Sequence, residues 1–270
     1  MTSLILAGCG KMGGAMLAGW LETEFVDSAI HVIEPNLASA DQFADMPGVT
    51  VVESADDIPG DVDPTVVILA VKPQTMDEAL LPLKRFVGTN TVFLSIAAGK
   101  TISYFEDKLG VEAPIVRAMP NTPASVGRGV TVFVSNNNVS TETAALCGNL
   151  LSAVGESISI EDESLLDPVT ALSGSGPAYV FFLIEAMAAA GEKAGLPTDL
   201  AYRLAKATVS GAGELAYLSE DSASQLRKNV TSPGGTTAAA LDILMAKDGI
   251  QPVLDKAIEA ASRRSRELAG

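Results

Sequence analysis

Histidine, cysteine and positive charge are scarce in this chain. Its 270 residues include one histidine, His31, two cysteines, Cys9 and Cys147, and one tryptophan. Two cysteines cannot build a disulfide framework, and neither stands in a C-x-x-C or His-rich stretch with zinc spacing. Disulfide scaffolds and zinc sites are therefore excluded, and a reducing, cytoplasmic setting is expected. A lone histidine leaves no Ser/His/Asp set, and no paired carboxylate frame or metal cluster is evident. Lys and Arg number 18 against 33 Asp and Glu, a formal net charge of −15. That balance argues against nucleic acid and anionic membrane as partners. Long apolar runs are also lacking. The longest, Ala178 to Ala190, is interrupted by Glu185 and falls short of the roughly 20 residues of a membrane span, so none is expected. Leu6-Ala7-Gly8-Cys9 looks locally like a lipoprotein cleavage site, but no basic residue and too few apolar ones precede it.

Apolar residues make up 47% of the chain and aromatic ones only 5%, so the core must be built mainly from Ala, Val, Leu and Ile. Up to about Ile160, short apolar runs at 4–6, 30–33, 49–52, 66–70, 92–95 and 115–116 alternate with helical patterns at 12–22, 75–86, 102–109 and 141–153. Wholly apolar strands separated by helices predict a parallel sheet covered on both faces. After about Glu161 the pattern turns helical. Pro177 opens an Ala-rich helix that ends near Gly195 and Pro197, and further helices are expected at 199–218, 237–247 and 251–268. Charge divides in the same place: 8 basic and 20 acidic residues through residue 162, 10 and 13 after it. The expected fold is thus α/β, a doubly wound Rossmann-type domain over 1–161 followed by an all-helical domain over 162–270. The helices at 178–190 and 199–218 are apolar on more than one face, which fits either a subunit interface or packing within the domain.

Gly8-Cys9-Gly10-Lys11-Met12-Gly13 follows the first strand directly and opens the first helix. In this G-x-G-x-x-G placement the first glycine permits a tight turn, the second lets backbone approach a pyrophosphate and the third lets helix pack on strand. Helix N-terminal amides then hold the phosphates. Glu34 closes the second strand 21 residues after Gly13, where an acidic side chain accepts hydrogen bonds from the adenosine ribose. No Lys or Arg lies between Lys11 and Lys72, so nothing nearby offers a cation to a 2′-phosphate. NADH is the expected donor over NADPH.

Candidate acid/base groups are few. Tyr104/Lys108 and Tyr202/Lys206 match Tyr-x-x-x-Lys, but neither stands where that pair works in short-chain dehydrogenases. His31 belongs beside the adenosine half and is not expected to act as a base. The run Ser232-Pro233-Gly234-Gly235-Thr236-Thr237 precedes a helix, and its spacing suits either an ordinary helix cap or an anion site for a substrate carboxylate.

These motifs, with Ala70-Val71-Lys72-Pro73, Ser95-Ile96-Ala97-Ala98-Gly99, Arg117-Ala118-Met119-Pro120-Asn121-Thr122-Pro123 and Ser173-Gly174-Ser175-Gly176-Pro177-Ala178-Tyr179, stand in an order that resembles the pyrroline-5-carboxylate reductases along essentially the whole chain. The resemblance implies hydride transfer from NAD(P)H to the imine carbon of 1-pyrroline-5-carboxylate, giving L-proline. A protonated cyclic imine is already electrophilic, which fits the missing base. It further implies that Thr237 hydrogen-bonds the imine nitrogen, while Ser232 and the amides of Gly235 and Thr236 hold the carboxylate. The glycine loop Gly8 to Gly13 would hold the pyrophosphate. The nicotinamide half would lie along Ala70, Val71, Lys72 and Pro73 and Ala97-Ala98, with Asn121 nearby, and the adenosine half near Glu34, Asn36 and Ser54. A homodimer through the C-terminal helices is implied, with dimers often joined in a decameric ring. Glu34 departs from the family, many of whose members carry small or basic residues there and accept NADPH. Two other readings are a 3-hydroxyacid dehydrogenase, for which the helix after Pro177 offers only Lys193 as acid/base group, and a dinucleotide sensor without turnover.

Overall fold

The computed structural model describes residues 3–23, 29–88 and 90–269. Eight strands form one sheet in the order β3-β2-β1-β4-β5-β6-β7-β8. They are β1 (Leu4–Ala7), β2 (Ile30–Ile33), β3 (Val49–Val52), β4 (Val66–Leu69), β5 (Val92–Ser95), β6 (Ile115–Met119), β7 (Gly129–Ser135) and β8 (Gly155–Ser159). The first six are parallel, with Leu4 opposite both Ile30 and Val66. β7 runs antiparallel to β6, and β8 lies parallel to β7. These last two strands go beyond the six predicted. Val130-Thr131-Val132-Phe133-Val134 carries the β-branched signal for β7, whereas Gly-Glu-Ser-Ile-Ser in β8 has one large apolar residue and gives no such signal.

Alternate residues of the central strands feed two cores. Leu4, Leu6, Val32, Val66, Ile68 and Leu94 pack on one face with Met16, Leu17 and Trp20 of α1 (Lys11–Glu22) and Leu150 of α4 (Thr141–Ser152). Ile5, Val67, Leu69 and Phe93 pack on the other with Met76 and Leu80 of α2 (Met76–Leu83) and Phe105 of α3 (Ile102–Leu109). Burial on both faces is why these strands read as unbroken apolar runs. Trp20 donates from Nε1 to the Leu150 carbonyl at 2.8 Å, a buried bond contributing about 1 kcal/mol that ties α1 to α4. α1 matters most for the site, because its first turn meets the Gly8 turn at the carboxyl end of β1.

The chain divides into two compact units, residues 1–174 with 261–270, and residues 175–260. The sheet unit thus takes in residues up to 174 as well as the C-terminal turns. Short helical turns, α5 (Leu166–Val169) and a π-helical turn at Thr170–Gly174 lead out of the sheet unit. The second unit contains α6 (Gly176–Lys193), α7 (Thr198–Leu218), α8 (Ala223–Asn229), α9 (Thr236–Leu244) and the start of α10 (Ile250–Ala269). α8 lies in a stretch where no helix is predicted from the sequence; Ser222 caps it by accepting the Gln225 amide at 3.2 Å. Small residues let α6 and α7 approach closely: a Cβ on Gly191 would stand 3.3 Å from the Ala201 Cβ, and Ala201 and Ala205 are buried. Much else here is uncovered. Phe181 is 59% exposed, Phe182 68% and Ile243 74% in the single chain, large apolar side chains of the kind that mark interaction surfaces.

By length and composition the continuous helical run Glu163–Lys193 is apolar enough to cross a membrane, with a mean hydropathy of 1.2. Length and composition alone do not make it a span, because the core helix of a soluble protein passes the same test.

Candidate active site

At the carboxyl ends of β1, β2 and β4 the strand order reverses, the place where open α/β sheets bind ligands. A cavity of about 620 Å³ opens there, lined among others by Gly8, Gly10, Glu34, Asn36, Ser54 and Lys72. Ala70 and Val71 line it too. Gly8 has φ +95° and lies against the Ala70 backbone, and a Cβ on Gly13 would run into the Gly8 carbonyl oxygen. Both positions therefore require glycine, for conformation at the first and for helix-to-turn contact at the second. Gly10 differs, because a Cβ there would meet no protein atom within 4 Å. The space it would fill is what a pyrophosphate needs. Gly10 caps α1 without any side-chain hydrogen bond, so the first-turn amides, including those of Lys11, Met12 and Gly13, are left for an anion.

Glu34 is held firmly. One carboxylate oxygen accepts the Cys9 amide at 2.8 Å and the other the Asn36 amide at 3.0 Å. Each oxygen keeps a second lone pair, available to ribose hydroxyls. Asn36 Nδ2 donates to Ser39 at 3.1 Å, and Ser54 caps a short turn by accepting the Asp56 amide at 3.2 Å. The cavity also takes in Glu53, which ends the strand run before Ser54 as Glu34 ends its own. That strand-end position was the available signal for Glu53, and sequence reasoning missed it.

The other predicted residues are distributed differently. Cys9, Gly10 and Lys11 line a second cavity of about 420 Å³. Pro73 opens a single turn after Lys72. Ala97 is buried and its amide donates to Ser95 Oγ at 3.2 Å, while Ala98 is exposed. Asn121 is 8% exposed, and its amide is committed to protein: Nδ2 donates to the Ser173 carbonyl at 3.2 Å and Oδ1 accepts the Val130 amide at 3.0 Å. Ser232, Gly235, Thr236 and Thr237 belong to the second compact unit. Gly235 donates its amide to the Ser232 carbonyl at 3.0 Å, Gly234 takes φ +69°, and α9 begins at Thr236 without a side-chain cap. Gly235 thus caps α9 through backbone alone, which leaves both readings of this run open, and Thr237 is half-buried.

The discarded acid/base candidates are accounted for. Tyr104 donates to Asp77 at 3.1 Å, Lys108 pairs with the same oxygen at 2.6 Å, and burial, then Asp77, pushes the phenol up to about 12. A phenol so held gives up no proton at neutral pH. His31 is buried in β2 between Ile5 and Thr50, and burial lowers its pKa, so it is neutral. Burial and, for Cys9, the Glu34 charge push the thiols up to about 11 for Cys9 and about 12 for Cys147. At pH 8 a thiol of pKa about 11 is thiolate in about one molecule in a thousand. Ellman's reagent should therefore leave both thiols of the native protein intact for minutes and react with both within seconds in guanidinium. Rapid native labelling at pH 8 would contradict this burial.

A glycine turn feeding a helix at the switch point of a parallel sheet, with a strand-end carboxylate pinned beside it, marks a nicotinamide-dinucleotide oxidoreductase. Its second part is helical with uncovered apolar faces. Residues 163–268 match the family described as pyrroline-5-carboxylate reductase dimerisation, and residues 3–99 the family described as NADP oxidoreductase coenzyme F420-dependent. The chain is 41% identical to a pyrroline-5-carboxylate reductase of Pseudomonas aeruginosa, over 97% of this chain and 95% of that one. A pyrroline-5-carboxylate reductase from Coxiella burnetii superposes with a TM-score of 0.92 at 35% identity, covering 100% of this chain and 99% of the other. A Plasmodium falciparum pyrroline carboxylate reductase with NADP bound superposes at 0.80 and 29% identity, covering 100% and 98%. The chain belongs to the pyrroline-5-carboxylate reductase family and is an NAD(P)H-dependent oxidoreductase that forms oligomers.

Proposed function

We propose that the chain reduces 1-pyrroline-5-carboxylate to L-proline, the last step of proline synthesis, with NADH as its preferred donor. The likeness to pyrroline-5-carboxylate reductases along the whole chain carries this reading. When bound, the reduced nicotinamide supplies the hydride. The protein's own residues bind, orient and neutralise. The uncapped α1 amides after Gly10 hold the pyrophosphate. Ala70 to Pro73 and Ala97-Ala98 seat the nicotinamide half, and Asn121 supports it from the neighbouring loop by holding Ser173 to β7. The Thr236 amide and Ser232 hold the substrate carboxylate, and the Gly235 amide, already given to the Ser232 carbonyl, reaches it only as a shared donor. Thr237 Oγ accepts the N–H of the protonated imine and aligns its carbon with the donor. As hydride adds there, the C=N electron pair moves to nitrogen and its positive charge is cancelled. No residue has to abstract a proton, so orientation carries the rate.

Glu34 carries the cofactor preference. A 2′-phosphate beside the ribose would face the Glu34 carboxylate, which its two backbone partners hold in place. Like charges about 4 Å apart repel by about 1 kcal/mol in water and about 4 kcal/mol at an effective dielectric constant of 20. Initial rates with 1-pyrroline-5-carboxylate should show kcat/KM for NADH exceeding that for NADPH by about tenfold or more, and Glu34→Ser should narrow the ratio. Higher NADPH turnover would refute the preference. Silence with both donors, in protein that binds dinucleotide, would refute the reaction and favour a hydroxyacid substrate or a sensor.

We also propose that 162–270 is the substrate-binding and dimerisation domain. Two copies join through the C-terminal helices whose apolar faces are uncovered in one chain, with dimers assembling into a decamer; light scattering separates the two sizes. A cytoplasmic location fits the two free, buried cysteines.

A further inference from the structure

Both ends of the dimerisation-family region fold back onto the sheet unit, around one loop. Residues 96–101 connect β5 to α3. At the loop's start the Ile96 amide donates to the Leu69 carbonyl at 3.1 Å and the Ala97 amide to Ser95 Oγ at 3.2 Å. Beyond its end, one oxygen of Glu163 accepts the Ile102 amide at 2.8 Å and the Arg117 guanidinium at 2.7 Å, with Arg117 buried. Between these anchors Gly99 turns with φ +73°, and a Cβ there would stand 3.0 Å from the Leu268 carbonyl oxygen and 3.3 Å from its carbon. The last turns of α10 are themselves anchored. Ser265 is buried and donates to Asp167 at 2.6 Å, only four residues after Glu163.

We propose that Gly99 and the end of α10, held by the Ser265–Asp167 bond, are positioning residues for the nicotinamide half of the cofactor: the C-terminal turn sets where Ala97 and Ala98 stand. The inference rests on the placement of Ala97-Ala98 against the nicotinamide. The physical case lies in the crowding at Gly99. Its left-handed backbone lets the loop pass beneath the helix end, and with backbone on the far side any added atom must move either the loop or the helix. Leu268 takes part through its carbonyl and the root of its side chain, with its Cβ 3.4 Å from where a Gly99 Cβ would stand, while the residue as a whole is 59% exposed. A helix end thus supplies contacts that Ala97, Ala98 and Gly99, with no side chain beyond a methyl, cannot make for themselves.

The test compares NADH with ADP-ribose, which shares every part of the cofactor except the nicotinamide ring. Gly99→Ala should weaken NADH about tenfold while leaving ADP-ribose within about twofold. Ending the chain at Glu267 removes the Leu268 carbonyl, and in the Gly99→Ala background it should recover about threefold of the lost NADH affinity. Ser265→Ala, which releases the helix end without touching the loop, should weaken NADH about three- to fivefold with ADP-ribose unchanged. Wild-type NADH affinity in Gly99→Ala, equal weakening of both ligands, or no recovery on truncation would each overturn the proposal. So would a lower Tm with unchanged NADH affinity in Ser265→Ala. The underlying placement has its own check: if Ala97→Val also binds NADH normally, the nicotinamide does not lie against this loop.

Discussion

Gly13→Ala is expected to abolish useful cofactor binding, raising the Kd for NADH about 100-fold or more, equivalent to about 2.7 kcal/mol. The added methyl would overlap the Gly8 carbonyl oxygen, and the next neighbours are the Gly8 carbonyl carbon and the Ala70 Cβ at 3.3 Å. None of these is the free end of a flexible side chain. Either α1 tilts away from β1 or the Gly8 turn unwinds, and both movements pull the first-turn amides off the phosphate. Overpacking of this kind also costs about 1–3 kcal/mol of stability, so the Tm should fall. Gly10→Ala provides the contrast. Its φ of −71° suits any residue, and its Cβ would meet no protein atom, so the Tm should stay near wild type while NADH binding weakens. Calorimetry and NADH fluorescence on the two variants measure both quantities. Equal behaviour of the pair, or normal binding in Gly13→Ala, would mean that the pyrophosphate does not sit on this turn.

The second large effect is catalytic. Thr237→Ala should lower kcat/KM for 1-pyrroline-5-carboxylate roughly 10- to 100-fold, the span of one charge-assisted hydrogen bond of about 1.5–3 kcal/mol. NADH affinity should stay within about twofold, because the residue faces substrate and not cofactor in the proposed arrangement. Thr237→Ser keeps the hydroxyl and should restore most of the rate. This pattern tests whether the hydroxyl, rather than helix α9 itself, carries the effect: α9 has no side-chain cap to lose at this end, so the alanine variant should fold normally. Loss of dinucleotide binding in Thr237→Ala would place the residue elsewhere.

Several features are legible in the residues alone because they depend on short-range physics. The six parallel strands announce themselves as apolar runs since both sheet faces are covered. α3 is found at its predicted 102–109, with Thr101 capping through the Tyr104 amide at 3.2 Å. The glycine turn is equally readable, since its conformation and its contact are made within six residues. Glu34 is found where its spacing places it, at the rim of the cavity. Other features were out of reach. β8 has almost no apolar signal and exists because β7 offers it an edge to pair with. Glu53 looks like a solvated strand-end acid until β3 is seen beside β2. Asn121 stands in a recognisable motif, yet its bonds reach Ser173 and Val130, 52 and 9 residues away.

Local composition and spacing thus determined, by themselves, the fold class, the glycine turn, the strand-end position of Glu34 and, through motif order, the family. Only the tertiary structure decided that the C-terminal turns return to the sheet unit, that Gly99 lies under the Leu268 carbonyl, and that Glu163 and Asp167 anchor those neighbouring segments. The physical reason is the range of the interactions. Periodicity, turns and caps are set within a few residues, whereas contacts between residues 99 and 268 depend on how every intervening element packs, and no local pattern encodes that.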